Sequence, residues 1–202
     1  MQRYIAFLRA INVGGHKVKM ADLRVLFERL GFRNVETFIA SGNVIFEAPV
    51  GNLPQLEEQI GRHLQKSLGY EATVFIRTPA ELAAIAEYEA FPEADVGAPG
   101  TTLFVAFLPS PPNDAVKRQL RGFRSELDDF AINGREVYWL CRTRMTDSPY
   151  SRPLLAKTLG APATLRNINT VRNLAAKYAG DAGDGVEART VGPRANKRMP
   201  GR

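Results

Sequence analysis

LDDFAINGREVYWLC, residues 127–141, is the stretch whose reading decides the fold. Residues 127–132 and 136–141 are two short runs rich in apolar, aromatic and β-branched side chains, which read as strands. Between them stands Asn133-Gly134. That dipeptide is a strong two-residue hairpin signal, because the tight turn joining twisted strands needs positive φ at its centre. Strict alternation along the second strand puts Val137, Trp139 and Cys141 on one face. Outward from this hairpin, residues 102–108 read as a strand and 111–122 as a helix. On the other side, 151–159 read as a short helix, 163–166 as a strand and 170–178 as a helix, with Asn169 or Thr170 placed to cap it. The order is β-α-β-β-α-β followed by one further helix.

The first half repeats that order. Residues 4–8 read as a strand. Met20, Leu23, Leu26, Phe27 and Leu30 recur at helical spacing, with Gly31 as a stop. Residues 35–40 and 44–46 read as strands joined at Ser41-Gly42. Leu56, Ile60, Leu64 and Leu68 form the stripe of a helix over 53–68, and 73–76 read as a strand. Thr78, Pro79 and Glu81 then make a capping box with proline at the first helical position, opening a helix to about Tyr88. Residues 91–100, FPEADVGAPG, have the Pro and Gly content of a linker. The fold predicted is α+β: two tandem ferredoxin-like (βαββαβ) subdomains with antiparallel sheets and helices on one face. The first subdomain spans 1–90 and the second 101–179. Residues 180–202 form a basic tail with almost no periodic apolar face, and their composition predicts disorder.

The chain has 202 residues, 45% of them hydrophobic, which is enough for a sizeable core. It has no apolar run of about 18 residues and so no sequence signature of a membrane helix. The opening MQRYIAFLRAINVGG lacks a proper signal-peptide core and cleavage site and reads as a first strand. A single cysteine, Cys141, excludes an intrachain disulfide and fits a reducing, cytoplasmic setting. The net charge of +6 is unevenly distributed: −2 over residues 1–141, +6 over 142–178 and +2 over 179–202. A basic segment of this kind attracts phosphates, nucleic acid or acidic metabolites.

Three stretches stand out together: LRAINVGGHKVKM (8–20), FIASGNVIF (38–46) and RNINTVRNL (166–174). Their combination resembles the bacterial family called domain of unknown function 1697 (DUF1697), whose members carry an LRGINVGG start, a SGNV turn and an RNWNT-like segment. The resemblance covers roughly residues 1–178. Ala10 stands where the family usually has Gly, and Ile168 where it usually has Trp. The resemblance implies fold and extent and lends no mechanism.

The same stretches supply the candidate site. The first connects strand one to helix one. A helix start offers free N–H groups and partial positive charge, Gly14 and Gly15 permit close backbone approach, and Lys17 and Lys19 add cations. Together these suit an anion. The loop is neither a Walker loop nor a GxGxxG fingerprint. Arg9 shares, by alternation, the face of Ile5 and Phe7 and there needs a carboxylate or phosphate partner. Asn12 can satisfy loop backbone groups. Ser41, Gly42 and Asn43 form a turn that split βαβ topology brings towards Arg9. Arg166, Asn167, Asn169 and Thr170 bridge the last strand and last helix, a second place where a helix start meets arginine and short polar side chains. Arg142, Arg144 and Arg152 thicken the positive field.

Catalytic groups are scarce. His16 and His63 have no metal-ligand spacing, so no metal and no cofactor is expected. Cys141 reads as a small core residue. Asp128-Asp129, at a strand start, read as solvent-facing. No carboxylate pair accompanies the loops. The first functional reading is a module binding a small phosphate-bearing or otherwise anionic molecule at the strand–helix loops. A nucleic-acid-binding module using the basic C-terminal half is the alternative, although the aromatic strand of an RNA-recognition module is absent. An enzyme on an anionic substrate, without an identifiable general base, is the third. Oligomeric state is left open.

Overall fold

The computed structural model describes residues 1–11, 17–39, 42–150 and 152–178, the side chains of 152 and 153 excepted. The first half runs β1 (Gln2–Leu8), α1 (Met20–Glu28), β2 (Arg33–Phe38), β3 (Asn43–Ala48), α2 (Leu53–Leu68), β4 (Val74–Arg77) and α3 (Pro79–Glu87). A short helix, α4 (Glu93–Val96), lies within residues 91–100. The second half runs β5 (Thr102–Phe107), α5 (Asp114–Gly122), β6 (Asp128–Asn133), β7 (Glu136–Cys141), α6 (Arg152–Leu159), β8 (Thr164–Asn167) and α7 (Ile168–Tyr178). The predicted tail falls outside the described residues.

Local chemistry sets these boundaries. Asn52 accepts the Gln55 N–H to open α2, and Gly69, at φ +79°, closes it. Thr78 and Glu81 form the reciprocal capping box of α3. Asn113 accepts the Val116 N–H, so α5 begins at Asp114, later than the apolar pattern from Pro111 suggests. Gly134 takes φ +57° at the β6–β7 turn, and the register runs from Asn133 opposite Glu136 to Asp128 opposite Cys141. α7 begins at Ile168, two residues earlier than the sequence reading, because the Asn167 side chain accepts the Asn169 N–H and serves as the cap.

Two four-stranded sheets result, with orders β2-β3-β1-β4 and β6-β7-β5-β8 and antiparallel pairing throughout. The buried side chains form three layers. An outer core joins the first sheet to α1 and α2 through Tyr4, Leu8, Leu23, Phe27, Phe46 and Leu64. A second outer core joins the other sheet to α5 and α6 through Leu108, Leu120, Trp139, Leu155 and Leu159. Between the sheets lies a central core drawn from both halves. It includes Ile5, Phe7 and Phe75 from one sheet, Val105, Phe107 and Tyr138 from the other, and α3 and α7 packed on each other. Phe7 and Phe107 stack there with centroids 4.0 Å apart and planes 14° from parallel. Alternation explains this division: successive residues of β1 point to opposite cores, so Tyr4, Ala6 and Leu8 face outward helices while Ile5 and Phe7 face the other sheet.

Asp128 and Asp129 correct the sequence reading. Both are buried, Asp128 completely. Asp128 accepts hydrogen bonds from Trp139 Nε1 at 2.7 Å and from Ser148 Oγ. A buried carboxylate needs such donors, and this one ties the segment after β7 to the second outer core. Cys141 packs with Val137 and Trp139 as expected.

Candidate functional site

Register brings two of the three motif stretches together. β1 and β3 are neighbours, with Phe7 opposite Asn43. The Leu8 N–H donates to Gly42 O at 2.8 Å and the Arg9 N–H to Thr73 O at 2.8 Å, so the root of the β1–α1 connection is held on both sides. Gly42 is required there. Its φ is +71°, and a Cβ would come within 3.2 Å of the Cβ atoms of both Leu8 and Ile11.

Arg166 joins the third stretch to the same place. It is 8% exposed, and its guanidinium is fully engaged. Nε donates to Asn43 Oδ1 at 2.6 Å, Nη2 to Leu8 O at 3.1 Å and to Gly42 O at 3.3 Å, and Nη1 to Thr164 Oγ1 and Leu165 O at 2.8 Å each. The guanidinium carbon stands 5.6 Å from the Phe7 ring centroid. Thr164 Oγ1 donates in turn to Leu8 O at 3.3 Å. A planar fork spreads five donors over three nitrogens and can serve all five of these acceptors, whereas an ammonium has three donors on one atom. Arg166 therefore fixes the backbone on which the β1–α1 connection and the β2–β3 turn are mounted.

The other candidates divide by exposure. Arg9 lies beyond the end of β1 and is exposed, so it does not share the apolar face of Ile5 and Phe7 and needs no buried partner. Lys17 and Lys19 are exposed. Lys19 is the residue before α1, and its side chain makes no capping hydrogen bond. Among the described residues Arg9, Lys17 and Lys19 take part in no ion pair of the structure. Asn12, Gly14, Gly15, His16 and Ser41 lie outside the described residues. Asn167 caps α7, Asn169 is exposed, and Thr170 is partly buried. They lie at the far end of β8 from Thr164, because β8 runs antiparallel to β5 from Thr164 opposite Phe107 to Asn167 opposite Phe104. The α7 start thus stands apart from the Leu8–Gly42 root. Ile168 is buried in the central core, so that position packs the two sheets together.

The first half has an equivalent arginine that no sequence motif marks. Arg77, at the end of β4, is completely buried. It donates from Nε to Glu136 Oε1 at 2.7 Å, from Nη1 to Ile76 O at 2.8 Å and from Nη2 to Leu108 O at 3.1 Å. Its guanidinium carbon is 5.4 Å from the Phe107 ring centroid. Burial pulls Arg77 below its ordinary value, against the opposing pull of the Glu136 carboxylate. Burial likewise raises Glu136, and Arg77 counteracts it. Nearby Arg135 donates to Glu81 Oε1 at 2.9 Å and to Ile76 O at 3.2 Å. The only sequence signal for this cluster is an arginine ending the apolar run VFIR, a signal shared by many solvated strand ends.

Among the described residues no group of three or more His, Cys, Asp or Glu side chains is placed to hold a metal ion, and no helix is long and apolar enough to cross a membrane. Burial pushes the Cys141 thiol up, away from nucleophilic thiolate character.

Fold and site together define an α+β protein of two four-stranded antiparallel sheets with helices, its halves tied by arginines that cross the seam. Residues 1–138 match the family described as protein of unknown function (DUF1697), and the chain belongs to that family. A solved structure of a conserved bacterial protein from Streptococcus pneumoniae is similar at a TM-score of 0.65 and 21% identity, over 86% of this chain and 97% of that one. That likeness is one of fold. No curated protein matches the chain.

Proposed function

We propose that the protein binds a small anionic or phosphate-bearing molecule at the β1–α1 connection, with Arg9, Lys17 and Lys19 supplying charge. Backbone N–H groups of Asn12, Gly14 and Gly15 and the Ser41 hydroxyl would complete it, whereas Gly42 and Asn43, both buried, hold the loop root and do not face the ligand. In this reading each half is a ferredoxin-like unit, the two meeting at residues 91–100, and Arg166 anchors the site without touching the ligand. Asn167, Asn169 and Thr170, at the second helix start, then serve the start of α7. The observation that carries the reading is the contrast at one loop root. Its backbone is immobilised by a buried arginine, while three cations beyond it stay exposed and uncompensated by carboxylates of the described residues. Fixed backbone and uncompensated charge are what an anion site needs to bind without a large ordering cost.

Isothermal titration with a panel of nucleotides and sugar phosphates tests this. Saturable heat that disappears when Arg9, Lys17 and Lys19 are all changed to Gln is the expected result; a panel giving no heat at all sinks the proposal. Nucleic-acid binding has less support. The sheet face an RNA-recognition module would offer to bases is closed here by the other half, with Phe7 and Phe75 in the central core.

A further inference from the structure

Both halves begin with a strand, a nine-residue helix and a hairpin, so α1 and α5 can be compared position by position from their caps, Lys19 and Asn113. Leu26 and Leu120 fall at the same place and are both buried. Leu23 and Phe27, completely buried in the first half, correspond to Lys117 and Arg121 in the second. Where α1 buries two apolar side chains, α5 presents two cations at the surface and packs Val116 and Leu120 inward, with Phe123 after it, and a cleft of about 480 Å³ opens beside the cations.

The cleft has an apolar floor and a basic mouth. Lys117, Leu120 and Arg121 share one face of α5 by their three- and four-residue spacing. Opposite them are Phe130 and Ile132 of β6, an edge strand, with Pro111 at one end. The Phe130 ring is held by Trp139, stacked at 6.0 Å and 14°, and by Tyr150, edge-on at 5.6 Å, so the floor is preformed. Lys117 shares its charge with Asp114 at 3.2 Å, whereas Arg121 has no ion pair among the described residues.

We propose that this cleft is a second ligand site, taking a small anion with a flat apolar body: an aryl phosphate or aryl carboxylate whose ring lies on Phe130 and Ile132 and whose charge meets Arg121 and Lys117. The volume suits one such molecule, and a lining that is about half apolar and half polar matches a ligand with an aryl body and a charged head. A guanidinium matches either oxyanion in bidentate fashion. The proposal is independent of the β1–α1 reading and shares none of its residues.

Amide NMR shifts of the full chain titrated with naphthyl phosphate, inorganic phosphate and naphthol provide the test. Naphthyl phosphate should saturate, with shifts centred on Leu120, Phe130 and Ile132, and should bind much more tightly than either of its parts. Arg121→Gln should weaken it about tenfold, as loss of a charge-assisted bidentate contact predicts. Arg118→Gln, exposed on the same helix, should change nothing. Lys117→Leu with Arg121→Phe, which copies α1, should fill the cleft and abolish binding while the thermal midpoint holds or rises. Equal binding of naphthol, unchanged affinity in Arg121→Gln, or shifts centred on Arg9–Lys19 would each overturn the proposal. So would saturation by an acidic peptide along the β6 edge with none by naphthyl phosphate.

Discussion

Arg77 and Arg166 occupy the same register position in the two halves: Arg77 stands opposite Ile5 across β4 and β1, Arg166 opposite Val105 across β8 and β5. Each crosses to the other half, Arg77 to Leu108 O and Arg166 to Leu8 O, and each lies over the phenylalanine of that half, Phe107 or Phe7. The acceptors differ in part: Arg166 also reaches Gly42 O and Thr164 Oγ1. Arg77 meets the carboxylate of Glu136, and Arg166 meets the amide of Asn43, which sit opposite Phe107 and Phe7 respectively.

That difference predicts unequal costs. Arg77→Met leaves a carboxylate in the core without its counter-charge, a loss of about 3–5 kcal/mol. Arg166→Met leaves only neutral acceptors without a donor, about 1–3 kcal/mol. Urea unfolding followed by the single tryptophan, the buried Trp139, reads both. Adding Glu136→Leu to Arg77→Met should recover much of the loss, because a well-packed apolar pair can replace a buried ion pair. Equal costs for the two arginines would contradict this account of the seam.

The order of elements was legible because periodicity, caps and turn glycines act within a few residues. Asn133-Gly134, Thr78–Glu81 and the Leu56–Leu68 stripe needed no tertiary information. What could not be read was which buried face meets which. The apolar face carrying Ile5 and Phe7 demands a cover, yet nothing local says the cover is Val105 and Phe107 about a hundred residues away. For the same reason Arg166 looked like a ligand residue: an arginine beside a helix start has one sequence signature whether it faces solvent or a pair of carbonyls. Asp128 misled likewise, since its donors, Trp139 and Ser148, are fixed only by strand pairing and the chain beyond it.

Backbone conformation at the loop root gives the second prediction. Ala10 has φ +68°, a region that favours glycine. Ala10→Gly should stabilise the protein by about 1 kcal/mol. Gly42→Ala should do the reverse and cost more, about 1–3 kcal/mol, because steric contact with Leu8 and Ile11 adds to the positive φ. Gly69→Ala is the control: its φ is similar and nothing lies within 4 Å of the added carbon, so it should cost less than Gly42→Ala in the same thermal melts.

Two glutamates should respond to pH with opposite sign. The Tyr178 hydroxyl at 2.8 Å and the Lys177 ammonium at 3.0 Å hold Glu36 below its usual 4.5. Its contribution is therefore fully present above the unfolded value and is lost as pH falls through the depressed one. Burial raises Glu57, although the Ile76 N–H it accepts at 2.6 Å pulls the other way. Its contribution is greatest below the unfolded value and declines as pH rises through the elevated one. Thermal midpoints against pH should show Glu36→Gln falling below the parent as acid conditions are left, and Glu57→Gln gaining on the parent over the same rise. Parallel curves for the two variants would contradict the assignment.

The division between anchor and ligand contacts at the first loop separates two kinds of variant. Arg9, Lys17 and Lys19 are exposed, so changing each to Gln should move stability by no more than about 0.5 kcal/mol. Any loss of anion affinity in those variants is then a loss of contact, and it should grow with each charge removed and shrink at high salt. Arg166→Lys keeps a positive charge but has three donors on one atom for the five acceptors Arg166 serves, so it should lower the urea midpoint. Its effect on affinity should follow the ordering of the loop root, seen as faster amide exchange at Leu8 and Arg9, whose N–H groups are bonded to Gly42 and Thr73. If Arg166→Lys abolished binding while stability and exchange stayed at parent values, Arg166 would be a ligand contact and the anchoring role assigned to it would be wrong.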